Sequence, residues 1–173
     1  MPWCGSSVRG GSGFDSFALL FFRRAGFRAV AVVAATPLCA AKDGAHPADP
    51  VIEEANAALV KGEPQQALAI LDKAIRQNPK AIYHARRGAV LVRTGDFDKA
   101  RAEFDKAIRS DPQLPEPYLN RGNLAALRGE LGIALVDLSK ALELDPRLAE
   151  GYANRGSILR RTGQLDLALA DFR

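Results

Sequence analysis

The sequence predicts an all-α chain, a solenoid of antiparallel helix pairs, and three observations carry that expectation. The first is self-similarity: Tyr118, Asn120, Arg121, Gly122, Gly129, Leu131, Ala134 and Leu135 recur at one fixed offset as Tyr152, Asn154, Arg155, Gly156, Gly163, Leu165, Ala168 and Leu169. A fixed period between about 20 and 50 residues is the mark of a repeat architecture. The second is punctuation. Gly62, Gly95, Gly129 and Gly163 are evenly spaced to within one position, and Pro79, Pro112 and Pro146 each follow a glycine at the same distance. The third is periodicity. Runs such as Leu131, Ala134, Leu135, Leu138, Ala141 and Leu142 hold the 3.6-residue period of amphipathic helices, with no strand-like alternation.

In chain order, residues 1–41 read as a leader. Residues 1–16 are rich in glycine and serine without periodicity. The basic cluster Arg23, Arg24 and Arg28 is followed by the apolar run Ala29–Ala35, and Cys39-Ala40-Ala41 then precede Lys42. A positive region, a short apolar stretch and a small-x-small site describe a secretory signal, with cleavage after Ala41. The apolar stretch reaches only from Ala29 to Ala41 and contains Pro37. A membrane-crossing helix needs about 20 residues, so no membrane span is expected. Bulky Leu38 argues against lipoprotein processing at Cys39, and Ala25-Gly26-Phe27 fits a twin-arginine signal only loosely. An arginine-rich, acid-poor leader also fits a mitochondrial transit peptide. The expectation is bacterial-type export to the periplasm or beyond, with a cytoplasmic protein as the alternative. The signal-like part begins late, which fits a start downstream of Met1. Residues 42–48 form a polar linker.

Charge separates the leader from the rest of the chain. The whole sequence has 24 basic and 20 acidic residues, but residues 1–42 hold five basic side chains against Asp15 alone. The remainder is therefore balanced, with 19 of each sign. A nucleic-acid binder needs a basic face on its folded part, so that partner class is set aside. Both cysteines lie in the leader, and His46 and His84 are the only histidines. Disulfides, zinc and histidine catalysis are poorly supplied, and nothing calls for a cofactor or metal. No phosphate loop or nucleophile elbow is present either, so the chain does not read as an enzyme.

Four copies occupy 49–80, 81–114, 115–148 and 149–173. The turn glycine ends the first helix of each copy in a left-handed conformation. Seven residues earlier stands a small residue (Ala55, Gly88, Gly122 or Gly156) where two helices must approach closely. Five residues after the glycine is alanine (Ala67, Ala100, Ala134, Ala168), and nine after is a large apolar residue (Leu71, Phe104, Leu138, Phe172) expected in the core. Proline then stops the second helix, preceded by Asn78, Asp111 or Asp145.

This pattern resembles the tetratricopeptide repeat, whose copies are helix–turn–helix units of about 34 residues. The resemblance covers residues 49–173 and implies a right-handed α-solenoid of three and a half copies. It also shows departures. The first copy has Val51 where later copies have Tyr118 and Tyr152, and is read as a degenerate cap. The second is one residue short before Gly88, which puts Tyr83 out of line. Arg87, Arg121 and Arg155 take the place that is usually leucine. The fourth stops inside its second helix, leaving Leu165, Leu167, Leu169 and Phe172 without a polar cap. The chain is accordingly expected to be a fragment, and its uncapped end offers a surface for self-association.

The family resemblance implies that function lies on the concave face, lined by the first helices, and that the partner is a protein or peptide. Its groove positions, nine and six residues before the turn glycine, hold Glu53 and Asn56, Arg86 and Ala89, Asn120 and Asn123, and Asn154 and Ser157. An asparagine amide can donate to and accept from a peptide backbone at once. Arg160 and Arg161 extend this face. Chaperone-binding relatives place lysines where this chain has Asp49, Ile82, Glu116 and Glu150, which argues against an acidic chaperone tail. The candidate groove residues are thus Arg86, Glu116, Asn120, Asn123, Asn154, Ser157 and Arg160. The expected function is an interaction scaffold; the alternative is the regulatory arm of a larger enzyme, such as a glycosyltransferase.

Overall fold

The computed structural model describes residues 49–173, so the leader and the linker lie outside the described residues. The described residues form eight helices and no strand. In order they are α1 (Pro50–Val60), α2 (Pro64–Gln77), α3 (Ala81–Thr94), α4 (Phe97–Ser110), α5 (Pro115–Leu127), α6 (Leu131–Leu144), α7 (Ala149–Arg161) and α8 (Leu165–Asp171). Each copy encloses one helix pair, α1–α2 through α7–α8, and each second helix also packs on the first helix of the next copy. The result is an all-α solenoid.

The turns work as the glycines predict. Gly129 has φ of 80°, and its three counterparts lie between 80° and 85°. The residue after each glycine then donates its N–H back to the helix just ended, as Glu130 does to the Ala125 carbonyl at 2.9 Å. Such a closure satisfies carbonyls that a helix end would leave bare. At the far end of the pairs, Asp111 and Asp145 accept from the N–H groups of Gln113 and Arg147. Those bonds hold the chain in the turn that the following proline completes.

Within each pair the small residue of the first helix admits the large residue of the second. A Cβ added at Gly88 would lie 2.5 Å from the Phe104 ring, and one at Gly122 would lie 3.0 Å from Leu138. Phe104, Leu71 and Leu138 are fully buried as a result. The cores are continuous along the array because one residue of each later first helix enters the preceding core. Val90 joins Leu59 and Leu71, Leu124 joins Leu91 and Phe104, and Ile158 joins Ala134 and Leu138. Phe172 departs from its copies. It covers Gly156 with one side but remains 51% exposed, because no further first helix packs behind it.

The first copy is tied to the second by a polar contact at the helix starts. Asp49 caps α1 by accepting from Val51 N, and its other oxygen accepts from Lys80 Nζ at 2.9 Å and Tyr83 Oη at 2.7 Å. The shortened second copy therefore turns Tyr83 into a buried link rather than a misplaced aromatic.

Candidate peptide groove

The first helices approach one another, α3 on α5 and α5 on α7, whereas no two second helices make a comparable contact. Two rows of helices so arranged curve with the first row inside. The inner row is therefore α1, α3, α5 and α7, and the candidate groove residues all belong to α3, α5 and α7.

At its N-terminal part this face has a recess lined by Ile52, Asn56, Leu59, Arg86, Ala89 and Val90. Its rim is set by Arg86, whose Nε lies 3.1 Å from Glu116 Oε1 on the next copy. Both side chains are about three-quarters buried. Desolvation holds the Glu116 carboxyl above its ordinary range, and the Arg86 charge opposes this. Asp49, Glu116 and Glu150 occupy corresponding places: Asp49 caps α1 and pairs with Lys80 at the start of α3, Glu116 is enclosed with Arg86, and Glu150 is exposed.

Further along, Asn123 donates to Glu150 Oε1 at 3.2 Å and accepts from Asn154 Nδ2 at 2.8 Å. Three groove side chains from two copies are thus joined into one chain of hydrogen bonds. Ser157 turns inward and donates to the Ala153 carbonyl of its own helix at 2.8 Å. Asn120 stands between the Arg86–Glu116 pair and the Asn123–Asn154 link. It is half-buried and makes no side-chain hydrogen bond among the described residues. Arg160 is exposed at the C-terminal end of the row. No group of metal-ligating side chains occurs among the described residues, and no described helix is long and apolar enough to cross a membrane.

Behind the groove lies a set of ion pairs that the spacing of single residues did not announce. Arg121 donates from Nε and Nη2 to Asp137 at 2.8 and 2.7 Å, and from Nη1 to Asp105 at 2.6 Å. Arg155 grips Asp171 and Ser139, and Arg87 reaches Glu103 and Asp72. Each arginine therefore fastens the second helix of its own copy to that of the preceding one. Hydrogen bonding to Asp137 raises the Arg121 pKa above its already high value. A signal existed in the sequence: an acidic residue eight positions after Gly95, Gly129 and Gly163, matching the arginine eight positions before. His84, beside Arg87, meets the same Glu103 at 2.8 Å.

Tandem antiparallel helix pairs with closely packed inner helices define a helical-repeat protein. Profiles described as "Tetratricopeptide repeat" match residues 52–115 and 138–170, together more than half of the chain. The chain belongs to the tetratricopeptide-repeat family. Among solved structures it is similar to MamA (residues 41 to the end) from Desulfovibrio magneticus RS-1, at 22% identity and TM-score 0.60, with 71% of this chain and 70% of that chain covered. The TPR domain of Arabidopsis OM64 matches at 24% identity and TM-score 0.59, covering 64% of this chain and 93% of that one. The first TPR of Spaghetti (RPAP3), bound to the HSP90 peptide SRMEEVD, matches at 20% identity and TM-score 0.61, covering 66% and 91%. At these identities the likeness concerns the fold.

Proposed function

We propose that the chain is a protein-interaction module that takes an extended peptide or a partner helix along the inner face of α1, α3, α5 and α7. The observation that carries this reading is Asn120. Its neighbours on the inner face are bonded to one another, Arg86 to Glu116 and Asn123 to Asn154 and Glu150, while its own amide keeps both a donor and an acceptor. Such a group, held on helices between neighbours already paired with one another, is suited to bond a peptide backbone. A related fold with a bound peptide supports the binding mode, since the Spaghetti (RPAP3) domain holds SRMEEVD. The ligand here differs in charge. Glu116 and Glu150 stand on the inner face, so a peptide rich in carboxylates is disfavoured and a neutral or basic one is preferred.

The test is affinity selection from a random peptide library on the full chain, followed by calorimetric titration of a selected peptide. Asn120→Ala is expected to weaken binding about tenfold, or ~1.4 kcal/mol, whereas Lys73→Ala on the outer helix α2 leaves it unchanged. Equal affinity for wild type and Asn120→Ala would remove the groove assignment.

A further inference from the structure

The junction between the second and third copies carries an ion pair on the inner face that the adjoining junctions lack. Arg86 stands nine residues before its turn glycine, and Glu116 thirteen before the next one. At the following junction those two positions hold Asn120 and Glu150, and at the preceding one Glu53 and Ile82. Among the described residues, only α3 and α5 therefore set opposite charges against each other in this register. Both side chains are about three-quarters buried, so the pair is drawn out of water.

The pair is imperfect. Arg86 Nε lies 3.1 Å from Glu116 Oε1, yet it is buried without alignment for a hydrogen bond. A buried pair offsets its desolvation only when good geometry and further hydrogen bonds satisfy both partners. Here desolvation dominates and holds the Glu116 carboxyl above its ordinary range, and Arg86 is the one charge that opposes it. The charged groups on the helices packed against α5 are otherwise engaged. Arg87 and His84 of α3 meet Glu103, Asp105 of α4 and Asp137 of α6 hold Arg121, and Glu150 of α7 accepts from Asn123. One proton on Glu116 thus removes the anion that holds Arg86. It leaves a guanidinium whose planar fork matches a pair of anionic oxygens.

We propose that the Arg86–Glu116 pair is a proton-controlled gate on the ligand chemistry of the inner face. With Glu116 ionised, Arg86 is held across the junction and the face disfavours an anionic ligand. With Glu116 protonated, Arg86 is released to pair with an anionic side chain of the bound peptide, while Asn120, one turn along α5, bonds the backbone. The inference rests on the inner face being the peptide groove. Linkage makes the effect reciprocal: an anionic ligand that takes Arg86 favours the protonated carboxyl, so it binds with uptake of a proton.

The test is calorimetric titration of the full 173-residue chain at neutral and at mildly acid pH. The probe is a peptide selected in acid from a library whose one anionic residue is cysteic acid. Its sulfonate stays ionised at both, so the ligand itself does not titrate. Wild type is expected to bind about tenfold more tightly in acid, the scale of a hydrogen bond to a charged group. Glu116→Gln, which mimics the protonated carboxyl, should bind at neutral pH as wild type does in acid. Arg86→Gln should bind weakly at both. Wild type should also take up a proton on binding, seen as a heat that varies with the ionisation enthalpy of the buffer, and this measurement needs no variant. Four results would overturn the proposal: no peptide selected in acid, a wild-type affinity that does not change with pH, binding without proton uptake, or a pH dependence that survives unchanged in Glu116→Gln. A neutral peptide separates the gate from the groove. If its affinity falls in Asn120→Ala while the sulfonate peptide shows no pH dependence, the gate fails and the groove stands. If Asn120→Ala binds both peptides as wild type does, the groove reading fails and the gate with it.

Discussion

Arg121 holds Asp137 by two parallel hydrogen bonds, at 2.8 and 2.7 Å, and the carboxylate it holds is almost fully removed from water. The pair lies within one copy, and the third arm of the same guanidinium reaches Asp105 in the copy before. A single side chain thus fixes both the pitch within a helix pair and its attachment to the neighbour. The geometry is the fork-to-carboxylate match that only arginine provides.

Removing one partner should therefore be costly. Arg121→Ala leaves the Asp137 charge buried and unpaired, and such losses run about 3–5 kcal/mol. Arg121→Leu combined with Asp137→Ala removes both charges and should recover most of that loss. Denaturant unfolding of both variants measures the difference. If the double variant is as unstable as Arg121→Ala, the cost lies in packing rather than in the stranded charge.

Gly88 gives a steric prediction. The Cβ of Gly88→Ala would meet the Phe104 ring at 2.5 Å, and Phe104 is fully buried. Overpacking of this kind costs about 1–3 kcal/mol and should lower the melting temperature by several degrees. Gly132→Ala is the control, because its added Cβ meets nothing within 4 Å. There alanine should stabilise, by up to ~1 kcal/mol, as a better helix former.

Acid should act through Glu103. Burial alone would push its carboxyl up, but hydrogen bonds from His84 and Lys106, with the Arg87 charge, outweigh it and hold the group below the usual range. A carboxyl lowered on folding stabilises the fold above its unfolded pKa, and that contribution is lost as pH falls through the folded value. Glu116 has the opposite sign: desolvation raises it despite Arg86, so its contribution is present at low pH and lost as pH rises through its folded value. Urea melts across the acid range should show a shallower loss toward low pH in Glu103→Gln than in wild type. Parallel curves for the two would contradict the role given to Glu103.

The leader carries a prediction of its own. We propose that residues 1–41 direct export and are removed. N-terminal sequencing of the mature protein should begin at Lys42, and a mature chain retaining Ala29–Ala35 would refute it.

Asparagine at a groove position is the same letter whether it faces a ligand or a neighbour. Asn120, Asn123 and Asn154 share one motif in the sequence, yet Asn123 and Asn154 bond to each other across two copies while Asn120 makes no side-chain hydrogen bond among the described residues. Asn154 finds Asn123 in the copy before it, whereas the corresponding place in the copy before Asn120 is Ala89, which has no polar side chain to bond. The same holds for Glu116 and Glu150, of which one is enclosed by Arg86 and the other bonds to Asn123.

The array was legible in the amino-acid order alone: the glycines that must adopt positive φ, the prolines that stop helices, and the small and large residues that let paired helices meet. These constraints are local or act at one fixed offset, so a repeated pattern exposes them. The roles of the polar residues came from the stacking of the copies. Stacking brought Arg87 to Asp72, Arg121 to Asp105 and Arg155 to Ser139 across copies and joined Tyr83 to Asp49. Hydrophobic burial follows from periodicity within a helix. A hydrogen bond or ion pair needs two atoms within about 3 Å, and for partners in different copies that distance exists only once the copies have stacked.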